Sequence, residues 1–351
     1  MQTTSCTKAG LLALGLVVVF IIIWELFWRS QGFGVSYNDD ESLWAHTHKK
    51  IYHSSPTRPV VIGSSRIKFD LDLDTWESIA GKKPIQLSLE GTSPRPVLTD
   101  LANDTAFKGT VLVGITEALF FQPSPNPYEI QANKRLGFYP HWSISSQISF
   151  RINKVMESCL VFLQENTFAL NALLKRLPIE SRPGVFVFPN FPMKFTYTRF
   201  DRQTYMTPDF VKDTSMQHQM QNIWNNLVIN GPPLPRPKGV VVDKAKELAK
   251  VIEEVKESVN KIRNRGGQVV FLREPSSGVF LEFEKKAFPR QTYWDKLLEE
   301  TKAPGIHFTD YPTLSQFTCP EWSHLKPEDA VTYTKNLIPI LEEKTGWKIK
   351  K

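Results

Sequence analysis

The chain has 351 residues, of which 41% are hydrophobic and 23% charged, an ordinary composition for a globular protein with one large or two modest cores. Its formal charge of +7 and pI near 9.1 favour anionic surfaces such as a membrane or an acidic polysaccharide. The Lys and Arg residues are dispersed, so nucleic acid is not an expected partner. Three cysteines exclude a disulfide scaffold or a zinc site, and leave open a single Cys159–Cys319 bridge.

The first feature along the chain is an apolar run from 9 to 28, in which only Glu25 is charged. Twenty helical residues extend about 30 Å, which is enough to cross a bilayer. Trp24 and Trp28 are placed for the interfacial belt. No Ala-x-Ala-type site follows, so residues 1–30 are predicted to be an uncleaved transmembrane anchor, with a cleaved signal peptide as the alternative. The flanking charges leave its orientation open.

A polar linker, residues 31–56, leads from the anchor to the folded domain. Within it, 42–54 is predicted to form a helix capped by Asp39 or Asp40. The segment carries three histidines without a carboxylate or fourth ligand at suitable spacing, so we expect a solvated face and no metal site: His46, His48 and His53.

From residue 57 to 351, strand and helix patterns alternate. The predicted strands are Pro59–Ile62, Pro84–Leu89, Thr110–Ile115, Gln268–Leu272 and Ile306–Phe308. The predicted helices are Ile67–Ile79, Pro94–Ala106, Lys244–Asn264 and Pro327–Lys344. This alternation predicts an α/β fold with a mainly parallel sheet and helices on both faces, and such sheets place their sites beyond the carboxyl ends of the strands.

The stretch from about 120 to 240 interrupts this alternation between the third and fourth strands. It contains a predicted helix pair between 143 and 176, a Pro- and Phe-rich segment at 178–200, a helix at 208–227 and a loop at 232–237. We interpret it as an insertion that could form a substrate-facing cap.

The first strand ends in the turn Gly63-Ser64-Ser65-Arg66. A strand-to-helix turn exposes a serine hydroxyl at the carboxyl edge of a sheet and leaves N–H groups of the next helix free for an anion. The turn resembles the Gly-Asp-Ser-Leu first block of the SGNH/GDSL hydrolases. Aligning the glycines makes Ser65 the candidate nucleophile.

Two later segments correspond to the family's oxyanion blocks. In Leu87-Ser-Leu-Glu-Gly-Thr-Ser93, Gly91 occupies the position of the glycine that offers its N–H to the oxyanion. The third block departs from the family, because Gly114-Ile-Thr-Glu117 lacks the expected asparagine. The resemblance then implies either that the Thr116 hydroxyl replaces the amide or that the Ser65 and Gly91 N–H groups act alone.

The last block is Cys319-Pro-Glu-Trp-Ser-His-Leu-Lys-Pro, which places His324 before the final predicted helix. The family pattern is Asp-x-x-His, and Glu321 stands three residues before the histidine. A carboxylate at that spacing can orient the imidazole and support its protonated form. We prefer Glu321 as the orienting acid, with Asp310 as the competitor.

Two arginines are predicted at the carboxyl edge of the sheet. Arg66 follows the candidate nucleophile, and Arg273 ends the fourth predicted strand. Either guanidinium could bind a carboxylate, a phosphate or a sugar hydroxyl of a substrate, and a structural salt bridge is an equal alternative. The nearby run of Asp70, Asp72 and Asp74 is predicted to form a turn and helix start, since it lacks the other ligands of a calcium loop.

Four landmarks in order thus resemble an SGNH/GDSL-type (flavodoxin-like) domain behind one membrane span. The narrower resemblance is to proteins that work beside membrane-bound O-acyltransferases in polysaccharide O-acetylation or D-alanyl transfer. It implies an extracytoplasmic esterase or acyltransferase with an acyl-Ser65 intermediate, no cofactor, and a polysaccharide substrate. A catalytically silent module that binds polysaccharide or scaffolds an acyltransferase is the first alternative. A nucleotide-binding protein is the second, although no Gly-x-Gly-x-x-Gly or P-loop follows any strand.

Overall fold

The computed structural model describes residues 2–53, 58–177, 189–231 and 243–349. Its central sheet contains five parallel strands in the order β2-β1-β3-β6-β7. These strands are β1 (Val60–Ile62), β2 (Ile85–Gln86), β3 (Thr110–Gly114), β6 (Gln268–Arg273) and β7 (Gly305–His307). A separate antiparallel hairpin contains β4 (Thr196–Thr198) and β5 (Thr204–Met206).

Seventeen α-helices are described around these strands. Before β3 they are α1 (Gln2–Ser30), α2 (Glu41–His53), α3 (Ser65–Asp70), α4 (Leu73–Ala80) and α5 (Arg95–Asn103). Between β3 and β6 they are α6 (Glu117–Phe120), α7 (Ile130–Phe138), α8 (Ile144–Cys159), α9 (Glu165–Phe168), α10 (Leu170–Leu174), α11 (Pro208–Lys212), α12 (Thr214–Trp224) and α13 (Lys244–Asn264). The last four are α14 (Gly278–Ala287), α15 (Lys296–Thr301), α16 (Pro312–Ser315) and α17 (Pro327–Thr345).

The strands bury both of their faces, and alternate residues join different cores. Val60 and Ile62 pack into a core with α5, α13 and α15, whereas Val61 packs into a second core with α3, α4 and α17. The predicted α/β architecture, a parallel sheet with helices on both faces, is therefore confirmed.

The single helix predicted over 67–79 is wrong, because the chain forms α3 and α4 instead. The Oδ1 atom of Asp72 caps α4 by accepting a hydrogen bond from the Thr75 N–H at 2.7 Å, as the predicted helix start requires. Asp70 ends α3, and its Oδ1 accepts from the Leu325 N–H at 2.9 Å. A contact with the far end of the sequence thus accompanies the break.

The insertion between β3 and β6 is more divided than its sequence indicates. Its predicted helix pair at 143–176 is the long α8 followed by the short α9 and α10, and the helix predicted at 208–227 is split into α11 and α12. The β4–β5 hairpin is not predicted by the sequence analysis. The loop at 232–237 and part of the Pro-rich stretch, 178–188, lie outside the described residues. The hairpin, α11 and α12 share a small core with Phe69 of α3.

The N-terminal helix α1 contains an apolar stretch, Cys6–Ser30, that is long enough to cross a membrane and fits either a single-pass anchor or a signal peptide. The next helix, α2, begins as predicted, because Asp40 Oδ1 accepts a hydrogen bond from the Leu43 N–H at 2.7 Å. The expected solvated face is wrong for His48, which is buried and stacks on Trp44 at 4.9 Å between ring centroids.

Candidate active site

The turn after β1 brings the ends of two central strands very close together. A Cβ atom on Gly63 would lie 2.4 Å from Ile67 Cγ2 and 3.2 Å from the Gly114 Cα, so only glycine fits. Ser64 is the N-cap of α3, and Ser65 is its first residue. The strand-to-helix turn predicted from Gly63 onward is therefore present at the carboxyl edge of the sheet.

His324 and Glu321 form a buried pair. Glu321 Oε1 lies 2.8 Å from His324 Nδ1 and accepts the His324 backbone N–H at 2.7 Å. The other carboxylate oxygen accepts the indole N–H of Trp224 at 2.5 Å. A carboxylate at Nδ1 favours the tautomer with its proton there, so the lone pair is on Nε2. That Nε2 is buried and has no hydrogen-bond partner among the described residues.

Contacts of the neighbours of Ser65 connect α3 to the loop that carries His324. The ring of Phe69 stacks on His324 with centroids 4.3 Å apart. Phe69 follows Ser65 by four positions in α3, so both side chains lie on the same helix face. Arg66 Nε also lies 3.4 Å from Ser323 Oγ. Ser65 is partly exposed, and its hydroxyl makes no hydrogen bond to another described residue.

The loop that carries His324 is held in an unusual conformation. Trp322 is left-handed, with φ of 75°, and its N–H donates to the Cys319 carbonyl at 3.0 Å. Such a conformation is rare for a bulky residue and is retained only where the surroundings enforce it. Here the Ser277 N–H donates to the Trp322 carbonyl at 2.9 Å, and a Cβ on Gly278 would lie 2.8 Å from the indole.

The two cysteines that the sequence left as a possible bridge are both free. Cys319 is buried in the loop before His324, whereas Cys159 is exposed at the end of α8. The described chain therefore has no Cys159–Cys319 bond.

The candidate oxyanion groups lie around the same edge. Thr116 Oγ1 is 2.6 Å from Ser64 Oγ, so the hydroxyl predicted to replace the asparagine amide is engaged with the residue before Ser65. Gly91 has a left-handed φ of 60° in the turn after β2. That turn is held against the first strand by the Leu89 N–H, which donates to the Gly63 carbonyl at 3.0 Å.

Arg66 and Arg273 lie at the predicted edge, where both are buried. Glu284 joins them, with Oε1 2.5 Å from Arg66 Nη2 and Oε2 2.6 Å from Arg273 Nη2. Arg273 Nε also donates to Glu117 at 2.7 Å. The salt-bridge alternative of the sequence analysis is therefore present, and substrate binding by these residues remains a prediction. Arg66 Nη1 is buried without a hydrogen-bond partner among the described residues.

Two further buried carboxyl groups lie beneath the site. Burial raises the pKa of Glu274 to about 8, and both of its carboxyl oxygens lack hydrogen-bond partners among the described residues. Burial also raises the pKa of Asp70 well above its usual range. The hydrogen bond from the Leu325 N–H favours the ionised form and lowers this pKa, but burial has the larger effect. In contrast, Arg273 and Arg66 hold the pKa of Glu284 below its usual value despite burial. Acids with opposite pKa shifts thus share Arg66 as a charged neighbour.

The competing acid Asp310 does not contact His324. It forms an ion pair with Arg290, with an Oδ2–Nη2 distance of 2.9 Å, and this guanidinium lowers the pKa of the carboxyl group. Glu321 is therefore the acid that contacts the imidazole.

The sequence analysis missed the residues that complete this environment. Trp224 and Phe195 come from the insertion, with ring centroids 6.4 and 6.3 Å from His324. They are consistent with a cap, but a tryptophan in an apolar helix gives no signal that its indole will reach Glu321. Glu284 was missed because acidic residues in a helix are usually solvated. No cluster of three His, Cys, Asp or Glu in the described ranges is suited to hold a metal ion.

No protein-family model matches the chain, and no curated protein matches it. The arrangement must therefore be interpreted from its own chemistry. It consists of a partly exposed serine at a helix start, a buried imidazole with a free Nε2, and a carboxylate that orients that imidazole. These are the parts needed for nucleophilic acyl transfer.

Proposed function

We propose that the chain is a membrane-anchored serine esterase or O-acyltransferase that acts through an acyl-Ser65 intermediate. The observation that carries this proposal is the Glu321–His324 pair, in which His324 Nε2 has no hydrogen-bond partner among the described residues. The His324 ring stacks on Phe69, which follows Ser65 by one helical turn in α3. Buried polar groups are usually hydrogen-bonded, but in the described chain His48 is also buried without a hydrogen-bond partner at either ring nitrogen. What distinguishes His324 is the Glu321 carboxylate at its Nδ1 together with the unpartnered Nε2.

In the proposed reaction, His324 Nε2 takes the Ser65 hydroxyl proton while Oγ attacks the acyl carbon. The tetrahedral intermediate collapses to acyl-Ser65, and the imidazolium gives its proton to the departing group. An acceptor hydroxyl then attacks the ester and gives its proton to His324. The imidazolium returns a proton to Ser65 Oγ as that oxygen leaves the acyl group. Water as acceptor gives hydrolysis, and a sugar hydroxyl gives transfer.

The N–H groups of Ser65 and Gly91 and the Thr116 hydroxyl are proposed to stabilise the oxyanion. Because Thr116 is engaged with Ser64, the two N–H groups are proposed as the main donors. Loss of one donor costs about 10²- to 10³-fold in rate, so a slow enzyme is expected.

The resemblance to SGNH/GDSL proteins supports a polysaccharide substrate, an acetyl group, an extracytoplasmic site and a membrane-bound O-acyltransferase as partner. Contacts between α1 and the folded domain support a retained anchor: Glu25 accepts the Val161 N–H at 2.8 Å, and Arg29 donates to the Cys159 carbonyl at 3.0 Å. Cleavage after the apolar run would remove both contacts.

A catalytically silent module is the second candidate. Two observations favour it: Thr116 stands where the family has asparagine, and the Ser65 hydroxyl makes no hydrogen bond to His324. In the silent module, the buried Glu321–His324 pair would only stabilise the loop before α17.

The test is acyl release by the full-length chain in non-ionic detergent, with p-nitrophenyl acetate as donor. Wild type should release p-nitrophenolate and retain one acetyl group on the peptide that contains Ser65. The Ser65→Ala variant should lose both signals, and His324→Ala should lower the rate by about 10²- to 10⁴-fold.

Ser64→Ala is the matched control, because it removes the neighbouring hydroxyl and its bond to Thr116 while leaving Ser65 in place. It should retain the acetylated peptide. Release from folded wild type no faster than from Ser65→Ala would favour the silent module, and acetylation that disappears only in Ser64→Ala would move the nucleophile by one residue.

A further inference from the structure

A segment of the insertion is attached to the membrane end of α1. The Val161 N–H donates to Glu25, and the Phe168 ring lies 4.6 Å from that of Trp28. Arg29 reaches the carbonyl at the end of α8. Since these α1 residues belong to the stretch long enough to span a bilayer, residues 159–168 lie at the level where α1 would leave the membrane.

The helices on either side of this segment expose apolar side chains to solvent. Those on α8 recur every three or four positions and so form one stripe: Ile144 (77% exposed), Ile148 (53%), Ile152 (56%) and Val155 (65%). The side chains that α8 buries, including Phe150 and Lys154, lie on the opposite side. On α10, Leu170 is 73% exposed. Soluble surfaces rarely carry such a continuous apolar stripe without something to cover it.

A cationic cleft of about 620 Å³ borders this stripe, between α2 and α8. Lys49, Lys50, Arg151 and Lys154 line it, and its described lining contains no acidic side chain. Lys154 Nζ is paired with Glu157 behind the wall at 2.9 Å, so the positive charge of the lining comes mainly from the other three residues. Burial and the neighbouring cations lower the pKa of His46, also in the lining, to about 4. The cleft is therefore electropositive.

Aromatic rings supply an apolar wall. The Phe150 and Phe200 rings stack with centroids 6.2 Å apart, and the Trp142 ring meets Phe150 edge-on at 5.7 Å. An anion with an apolar portion fits such a cleft better than a bare inorganic ion. None of the candidate catalytic residues lines it.

We infer that α8 and α10 lie in the interface of the bilayer that α1 spans, and that the cleft beside α8 binds the phosphate headgroup of an anionic phospholipid. An apolar stripe with basic residues at its border is the pattern of an interfacial amphipathic helix. Attachment to the end of α1 identifies the bilayer as the occupant, because the stripe and the cleft both lie next to the point where α1 would leave it. An acidic glycan would account for the cleft but leave the stripe uncovered. This inference rests on α1 as an anchor and is independent of catalysis.

The position of the stripe can be tested with nitroxide labels on the full-length chain in phosphatidylcholine–phosphatidylglycerol nanodiscs. The labels go on Ile148→Cys or Ile152→Cys, after Cys6→Ser and Cys159→Ser remove the exposed native thiols. Both stripe labels should be more accessible to oxygen and less accessible to a water-soluble nickel complex than a label on Lys250→Cys, an exposed position in α13. Equal nickel access at all three positions would overturn the inference.

The cleft is tested by NMR titration of His46 in nanodiscs with and without phosphatidylglycerol. A bound phosphate should raise the His46 pKa by roughly one unit or more. The double variant Lys49→Gln, Arg151→Gln should abolish this rise, whereas Lys244→Gln, Lys250→Gln on α13 should retain it.

Two outcomes would contradict headgroup binding. One is the same His46 pKa in both kinds of nanodisc. The other is a His46 pKa that rises when soluble polygalacturonate is added to neutral nanodiscs but does not rise with phosphatidylglycerol. That result would make the cleft a glycan site. Neither readout uses acyl transfer, so failure here is distinguishable from failure of the proposed enzyme.

Discussion

Glu274 allows the clearest test of the electrostatics below the candidate site. It follows β6, is 1% exposed, and neither of its carboxyl oxygens has a hydrogen-bond partner among the described residues. The adjacent Arg273 guanidinium is directed to Glu117 and Glu284 instead. Burial therefore outweighs the nearby positive charge and raises the Glu274 pKa from its ordinary 4.5 to about 8. The side chain is expected to be protonated in the folded protein at neutral pH.

This shift makes folding dependent on pH in a definite direction. Between the two pKa values the native state holds one proton more than the unfolded state, so the free energy of unfolding falls as pH rises. The contribution is fully present below about pH 4.5 and is lost as pH rises through about 8. Its slope is at most about 1.4 kcal/mol per pH unit, and the whole effect is at most about 5 kcal/mol.

Glu274→Gln keeps the shape of the side chain and removes its titration. We expect the variant to match wild type near pH 5 in urea unfolding in non-ionic detergent, and to become more stable than wild type by about 2 to 5 kcal/mol at pH 8. The pKa of Asp70 is also raised, first by burial and in part by Glu274, so the difference between the two proteins reports Glu274 together with its coupling to Asp70. Glu282→Gln, at an exposed position of α14, should follow wild type at every pH. Parallel curves for Glu274→Gln and wild type would refute the reasoning.

Two further predictions concern contacts that support the turn. Glu284→Gln should lower the free energy of unfolding by about 3 to 5 kcal/mol, because Arg66 and Arg273 would share a buried site without their common negative charge. A urea unfolding curve measures this change. A loss below about 1 kcal/mol would show that water or a rearrangement satisfies both guanidinium groups. Gly114→Ala should lower stability by about 1 to 3 kcal/mol, because the new Cβ would lie 2.7 Å from Ile67 Cγ2. Ile67→Ala removes that methyl group but keeps the Ile67 Cβ, which would also lie 2.7 Å from the new atom. Thermal unfolding of the double variant should therefore show losses somewhat less than additive, and strictly additive losses would contradict the contact with Cγ2.

Much of the fold could be predicted because its signals are local. The helix Lys244–Asn264 is found at its predicted bounds, since it has an apolar stripe and Asp243 as its N-cap. The helix predicted over 67–79 failed for a non-local reason. Two residues at the break bond to the C-terminal part of the chain. Asp70 Oδ1 accepts from the Leu325 N–H in the loop before α17, and the Asp72 N–H donates to Thr334 Oγ1 in α17 at 2.8 Å. A propensity sum over the segment contains no information about a partner more than 250 residues away.

The same distinction separates the predictable and unpredictable parts of the candidate site. Glu321 and His324 are three residues apart, so their contact is a consequence of one loop and could be expected from spacing. Trp224 reaches Glu321 from a helix 97 positions earlier, and no pattern in that helix distinguishes its indole from an ordinary core residue. The hairpin β4–β5 was missed because strands of three residues are too short to establish an alternating pattern.

Arg66 and Arg273 show why charge after a strand is an ambiguous signal. The carboxyl edge of a parallel sheet gathers ligand-binding groups, but it also gathers the backbone and side-chain polar groups that must be satisfied when an insertion covers that edge. In this chain Glu284 pairs with both guanidinium groups, while His324 Nε2 and Arg66 Nη1 stay without hydrogen bonds in the described part of the edge. An acyl substrate would therefore compete with Glu284 for Arg273, whereas it could approach His324 without breaking any protein hydrogen bond. Catalysis that depends on Ser65 and His324 is thus compatible with a structural role for both arginines.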